Sequence, residues 1–547
     1  MLPSSFVRRS FFQRPISTQF PRLLPRRLFC FSIFAALLFP CASTAAPEKG
    51  KPTPPPVDAL AESSEVPADI PPLPDVRDTE HTLYLSSRNV SLFHELLLAP
   101  VAQWLKDGKL LLRAVRDLPT PLRHSPSWIA QSKLNGATSV LTPTGELQFV
   151  GASLAVPGAP FGNSAELRQE TNPEVLARKL LWNTQFAQVP YRDALYSFEM
   201  YWFSPQAKQK RAAGFWITAL PPDVPAPTEQ GAASLGPAAG SIFRQDALSF
   251  FQPAAIAGFS QLSTRYFDAR DDRTWIYSPV IAKSREVLVS NRSDPLFGSL
   301  VNFDDFFPFS FKTQGYTARV VEERTLLVAL PASGNVPLEK EMVEGNPIDR
   351  FIHAPTTPAA PAVIPTPSGS RESVLSAHGT DRGSGEHSFA VWNFESNAHS
   401  GAPPWIPTSA VFVPRKVWIV ELSGKDPFYL LGRQILVIDQ ESQLPVYKVV
   451  YDRRGVYTKT IVAGWTFAVS STDEYRVPVL AFLLAIDRRM SIGIGVSTSS
   501  FRTFAGKDSS AAKSVRKYLD ITSYGRTAAD GQSAAAPSPS PMEEIDE

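Results

Sequence analysis

Three apolar runs joined by turns too short for a crossover constrain this chain most. Residues 417–422 and 433–438 read as a strand pair, and Asp439-Gln-Glu-Ser442 then reverses the chain into 445–451. Asp452-Arg-Arg-Gly455 reverses it again into 456–467. Parallel neighbours need a crossover of about a dozen residues or more, so these strands must be antiparallel. Residues 196–203 and 213–219 read as a further pair. The expectation is a meander large enough to curve.

A ribbon over 266–309 carries the same signature. Asp271-Asp272 marks a tight polar turn between two strands, and Pro279 closes the second because it cannot donate to a ladder. Trp275 and Tyr277 lie two residues apart, so both rings leave one face of the ribbon. That face must be covered, by protein or by a bound apolar molecule.

Two helices accompany the strands. Over 91–106 the apolar positions Leu92, Leu96, Leu97, Val101, Trp104 and Leu105 recur at helical spacing, with Pro100 as an expected kink and Gly108 beyond the end. Thr171-Asn-Pro-Glu174 opens a second helix to about Asn183, with Pro173 in its first turn. The fold class is therefore α+β: a large curved antiparallel sheet, a half-barrel, with helices packed on one side. Residues 46–78, 354–388 and 529–547 are rich in Pro, Ser, Thr, Gly and Ala or end in acidic residues. They read as a linker, an insertion and a tail around a β-rich domain over 79–528.

The first 45 residues differ from the rest. Arg8, Arg9, Arg14, Arg22, Arg26 and Arg27 stand there with no acidic residue, followed by an apolar run over 28–39 and Ser43-Thr-Ala45-Ala46. This is the pattern of a secretory signal peptide, cut after Ala45. The whole chain has 54 basic and 52 acidic residues; without the six arginines the count is 48 against 52, a net of −4. Nothing in that balance points to nucleic acid. The two cysteines, Cys30 and Cys41, fall in the same stretch, so a mature chain cut after Ala45 has no thiol. Cys41, preceded by Leu38, is a candidate lipidation site, although Pro40 stands where such sites place a small residue.

Motifs for catalysis are missing. None of the seven histidines has a neighbour at metal-ligand spacing, and no Gly-x-Ser-x-Gly elbow or phosphate loop occurs. Asp304-Asp305 and Asp271-Asp272 are adjacent pairs, a poor arrangement for joint acid–base work, and read as caps and turns. The expectation is a non-enzymatic protein without cofactor or metal. What remains are aromatic strand faces, with Trp275, Tyr277, Phe303, Phe306, Trp418 and Trp465 as candidates to line a ligand cavity. Burying an acyl chain of about a dozen methylenes would supply on the order of 10 kcal/mol before entropy losses, and needs no sharp motif. The competing readings are a barrel filled by its own side chains, serving as an envelope scaffold, and, third, a hydrolase.

Two blocks carry a resemblance. One is Asp272-Arg-Thr-Trp-Ile-Tyr-Ser-Pro279 with Arg285, Asp294-Pro-Leu-Phe297 and Phe303-Asp-Asp-Phe306; the other is Pro414-Arg-Lys-Val-Trp-Ile-Val-Glu421 with Tyr429, Arg433, Asp439 and Tyr451-Asp-Arg-Arg-Gly455. A weaker third is Gly158-Ala-Pro-Phe161 with Leu181-Trp-Asn183. Together they make the chain resemble an exported Gram-negative family of unknown function with a LolA/LolB-like fold, relatives of outer-membrane lipoprotein-sorting proteins. The resemblance implies an incomplete antiparallel barrel closed by helices. It also implies a lipid or other hydrophobic molecule as ligand, a place in the periplasm or at the outer membrane, and an RND-type exporter or outer-membrane component as partner. It supplies no catalytic residue.

Overall fold

The computed structural model describes residues 70–78, 82–150, 154–204, 210–221, 233–235, 242–310, 312–343, 346–351, 363–365, 371–373, 406–407, 409–470, 475–489, 491–504 and 510–524. Residues 1–45, which the sequence reads as a signal peptide and which hold Cys30 and Cys41, lie outside them, as do the segment 529–547 and most of 46–78 and 354–388.

Thirteen strands of one 17-stranded sheet form a continuous antiparallel run. The first half comprises β1 (Asp193–Phe203), β2 (Lys210–Ala219), β3 (Ile242–Gln252), β4 (Ser260–Tyr266), β5 (Arg273–Ser278) and β6 (Lys283–Val287). The second half comprises β7 (Tyr316–Pro331), β8 (Ala410–Gly424), β9 (Leu431–Asp439), β10 (Pro445–Asp452), β11 (Tyr457–Ser470), β12 (Arg476–Asp487) and β13 (Gly493–Phe504).

Across the sheet the order is β6-β5-β4-β3-β2-β1-β13-β12-β11-β10-β9-β8-β7. The chain starts in the middle, walks to the β6 edge, reappears at the β7 edge and walks back until β13 meets β1, with Leu195 opposite Arg502. The meander expected over 417–467 is present, with Trp418 opposite Ile438 and Tyr447 opposite Val462. The expected pair of 196–203 with 213–219 is also present, Tyr196 facing Trp216. β6 and β7 do not pair, so the half-barrel stays open. Four further strands complete the sheet; among them the hairpin Val336–Val343 and Asn346–Phe351 bridges β11 and β13.

The inner face is packed by helices. Among these are α1 (Ala99–Lys106), α2 (Pro126–Thr138) and α3 (Pro173–Ala187). Asn172 caps α3 by accepting the N–H groups of Glu174 and Val175, worth about 1 kcal/mol for such a cap. Every α3 residue from Leu180 to Ala187 is buried, and Phe186 stacks on Phe243 of β3 at 4.7 Å between centroids. A short helix α4 (Ser510–Lys517) lies against the opposite face.

Three local expectations change. Residues 91–106 do not form one kinked helix: two 3-10 turns, Val90–Leu92 and His94–Leu96, precede α1, and Pro100 sits in the first turn of α1, where its missing N–H costs nothing. The turn at Asp271-Asp272 is not tight, because six residues separate β4 from β5. Helix α2 adds to the two expected helices and starts at Ser125-Pro126, where Ser125 Oγ accepts the Trp128 N–H at 3.3 Å. Among the described residues no helix is long and apolar enough to cross a membrane.

Candidate functional site: the strap across the open sheet

Residues 288–310 and 312–315 run from the β6 edge to the β7 edge and bridge a gap that no strand among the described residues closes. This strap contains little regular structure beyond 3-10 turns, including Val289–Ser293 and Phe303–Asp305. Asn302 opens the second of these turns with a reciprocal cap: its Oδ1 accepts the Asp304 N–H at 3.0 Å, and Asp305 Oδ2 accepts the Asn302 N–H at 3.1 Å. The capping role read from the sequence is therefore present, and it is only half of what these aspartates do.

Both are fully withdrawn from water and paired. Arg292 Nε donates to Asp304 Oδ1 at 2.8 Å, and Tyr429 Oη donates to Asp304 Oδ2 at 3.0 Å. Arg292 also reaches Thr274 Oγ1 on β5 at 2.8 Å. Asp305 receives Lys448 of β10 at 2.7 Å and Lys459 of β11. Burial alone would raise the Asp305 carboxyl, but the two ammonium groups prevail and hold it down at about 2. The strap is thus tied to the second half of the sheet by the buried ion pairs of Asp305, and to the first half by the hydrogen bond from Arg292 to Thr274. Buried pairs add little net stability over an apolar replacement, yet removing one partner is costly.

The strap also brings its aromatic residues inside. Phe306, Phe307 and Phe309 are buried, and Phe307 meets Trp216 of β2 at 4.1 Å and Trp465 of β11 at 6.0 Å between centroids. Beneath Phe303, Phe306 and Phe307 the sheet turns polar. Strand pairing aligns Arg244 with Arg265, Asp246 with Ser263 and Thr274, and Leu248 with Gln261 on the inner face. Asp246 Oδ2 takes Arg265 Nε at 2.7 Å and Arg244 Nε at 3.0 Å. Burial pulls the Arg244 guanidinium down to about 10 despite Asp246.

Between strap and sheet lies a cleft of about 30 Å³, lined by these polar residues and by Trp216, Leu248 and the three phenylalanines. Arg244 Nη1 and Gln261 Oε1 are buried with no protein partner. A second cavity of about 20 Å³ lies beside His124 and Tyr191. Each has room for a water or two, not for an acyl chain.

The six candidate residues divide. Phe303 and Phe306 line the cleft. Trp418 and Trp465 are fully buried core, and Trp465 Nε1 donates to Pro445 O at 2.8 Å. Trp275 and Tyr277 do leave one face of the ribbon, but it is the outer one. Their row on the sheet holds Leu195, Ile217, Ala247 and Leu262, with Tyr277 buried in a separate cluster under Val515, Tyr518 and Tyr524. The aromatic face of the ribbon is therefore covered by the protein's own C-terminal segment, and Trp275 is half-buried under Arg273. Sequence reading missed Arg244, Gln261 and Arg265. Their signal was an arginine or amide at inward positions of apolar strands, which shows only once the strand parity is known.

No family model matches the chain, and no curated protein matches it. Solved structures similar to it include a domain assigned to outer-membrane lipoprotein sorting from Vibrio parahaemolyticus, with 12% identity and a TM-score of 0.34, covering 60% of this chain and 92% of that one. A DUF1329 family protein from Desulfovibrio piger has 11% identity and a TM-score of 0.37, covering 65% of this chain and 100% of its own. A LolA superfamily protein from Nitrosomonas europaea has 9% identity and a TM-score of 0.31, covering 60% of this chain and 93% of that one. Likeness at this level says nothing of a ligand.

Proposed function

We propose that this is an exported envelope protein that binds, and hands on, a hydrophobic molecule with a small anionic head, a carboxylate or a phosphate. One observation carries the reading: an unpartnered nitrogen of Arg244 belongs to the lining of a cleft whose other wall is aromatic, and Gln261 Oε1 and Asp246 Oδ1, unpartnered in the same lining, can accept from a hydroxyl or protonated oxygen of the same head. Buried polar groups without partners are costly, so a site that leaves Arg244 Nη1 open favours an acceptor arriving from outside. The apolar tail would replace the side chains of Phe306 and Phe307, which now occupy the space above the cleft. The periplasm or the periplasmic face of the outer membrane is the setting of the same proposal, and an RND-type exporter or an outer-membrane component is the partner in it.

The test is extraction of the purified protein and mass spectrometry of the solvent phase, followed by titration with a fluorescent fatty acid. Binding that weakens at least tenfold in Arg244→Gln and recovers in Arg244→Lys supports the reading. Absence of co-purifying lipid together with no uptake of the probe would sink it.

The filled interior favours a second reading, a self-packed scaffold of an envelope complex. In that case Phe306→Ala would lower stability without creating affinity for any fatty acid. On the first reading the same truncation enlarges the cleft and tightens binding.

A further inference from the structure

Three successive turns share one end of the sheet. They join β8 to β9, β10 to β11 and β12 to β13, and the pairing of Leu431 with Asp452 and of Lys459 with Asp487 places them side by side. Turns two strands apart are spaced by about 10 Å, so the row extends about 20 Å. The turns are Lys425-Asp-Pro-Phe-Tyr-Leu430, Asp452-Arg-Arg-Gly455 and Asp487-Arg-Arg-Met-Ser-Ile492.

Each turn has the same internal economy. Its half-buried aspartate binds its own backbone: Asp426 takes the Phe428 N–H at 2.8 Å, Asp452 takes Arg454 and Val456 at 2.8 and 2.9 Å, and Asp487 takes Ser491 and Ile492 at 2.7 and 3.0 Å. The cations are left facing water. Lys425, Arg453, Arg454, Arg488 and Arg489 are all exposed. Five cations against three aspartates give these turns a formal +2, in a chain whose body is net acidic. Arg453 further binds the carbonyls of Asp426 and Tyr429 at 3.0 and 2.9 Å, which holds two of the turns together.

Apolar side chains stand among the cations. Phe428 is 79% exposed, Leu430 53% and Ile492 42%. Their partners in the turns are buried: Tyr429 points inward to Asp304, so Phe428 and Leu430 are turned out on either side of it. Large exposed apolar residues interleaved with arginines, in a row rather than around a pocket, match a layered surface of phosphate over hydrocarbon. A soluble acidic partner would satisfy the arginines and leave Phe428 in water.

We infer that this end of the sheet docks on an anionic lipid bilayer, with Phe428, Leu430 and Ile492 entering the headgroup layer and Arg454, Arg488 and Arg489 on its phosphates. The inference stands whether or not the interior cleft takes a ligand. Attraction of this kind is electrostatic and falls with salt.

The test uses the full chain with Cys30→Ser and Cys41→Ser, carrying Phe428→Cys labelled with an environment-sensitive NBD probe. The same label at Leu134→Cys, exposed on α2, is the control. Equimolar phosphatidylcholine–phosphatidylglycerol vesicles should brighten the probe at 428 and leave it unchanged at 134, with pure phosphatidylcholine giving at least tenfold weaker binding. Combining Arg454→Glu, Arg488→Glu and Arg489→Glu should abolish the response, and the arginine-rich first 27 residues are common to both proteins, so they cancel. No brightening at 428 would overturn the inference, as would an equal response at 134, an equal response with neutral vesicles, or a response that survives charge reversal. Heparin brightening the probe as strongly as vesicles would overturn the lipid assignment.

Discussion

Lys448 Nζ lies 2.7 Å from Asp305 Oδ1, and neither group reaches water. With Lys459 on its other oxygen, Asp305 pins the middle of the strap to the second half of the sheet. Asp305→Asn leaves two buried ammonium groups without a counter-charge and should cost about 3–5 kcal/mol in chemical denaturation. A cost below about 1 kcal/mol would show that the Asp305 ion pairs do not hold the strap, leaving Asp304, Arg292 and the phenylalanines to do so.

The same pair sets an acid limit. The folded Asp305 carboxyl is depressed to about 2, against about 3.9 for an unfolded aspartate, so its contribution is complete above pH 4. As pH falls from 4 through 2 the unfolded chain binds the proton first and about 2–3 kcal/mol is lost. Denaturation midpoints of wild type and Asp305→Asn should converge over that window.

His124 predicts a loss at milder acidity. Its Nε2 donates to Ser442 O at 2.8 Å, and its ring stacks on Trp128 at 3.7 Å and meets Phe467 edge-on. Burial lowers its pKa to about 3. Unfolded histidine takes a proton below about 6.5, which the folded state refuses, so stability falls as pH drops from 6.5 toward 3 at up to about 1.4 kcal/mol per unit. His124→Gln should flatten that slope, whatever it costs at neutral pH. An unchanged slope would show that His124 does not carry it.

The outer face depends on the C-terminal segment. Phe215 and Tyr518 meet edge-on at 4.9 Å, and Tyr277 meets Tyr524 at 5.2 Å. Tyr518→Ala should cost about 3–5 kcal/mol. The uncovered Tyr277, Leu195 and Ile217 should then bind a hydrophobic dye that wild type ignores. Dye binding equal to wild type would show another segment covering them.

Gly464 sits at a bulge in β11 because nothing larger fits: a Cβ there would stand 2.2 Å from the Phe482 ring on β12. Gly464→Ala should destabilise by about 1–3 kcal/mol, and Phe482→Leu in the same protein should recover part of it. A simple sum of two losses would mean the ring is not the obstacle.

Much of the fold was legible because its evidence is local. Short turns force antiparallel neighbours, and Asn172-Pro173 announces a helix without reference to anything distant. The strap could not be read this way. Asp304 and Asp305 look like ordinary caps until Arg292, Lys448 and Lys459, far apart in the chain, are brought to them. Parity placed Trp275 and Tyr277 on one face, as found, but parity cannot say which side of a sheet is inside. That choice was made by the C-terminal segment, whose helix α4 is mostly polar and gave no apolar period to notice.

An unclosed sheet has to end somewhere, and how it ends governs its behaviour toward its own copies. β6 is five residues long, and Lys283, Ser284, Arg285 and Glu286 are all exposed, Glu286 being paired with Arg273 at 2.9 Å. A strand from another molecule adding to that border would have to strip water from alternating charges to gain five residues of ladder. The border therefore works as a stop signal: a sheet left unclosed at β6 is guarded against growth into a polymer.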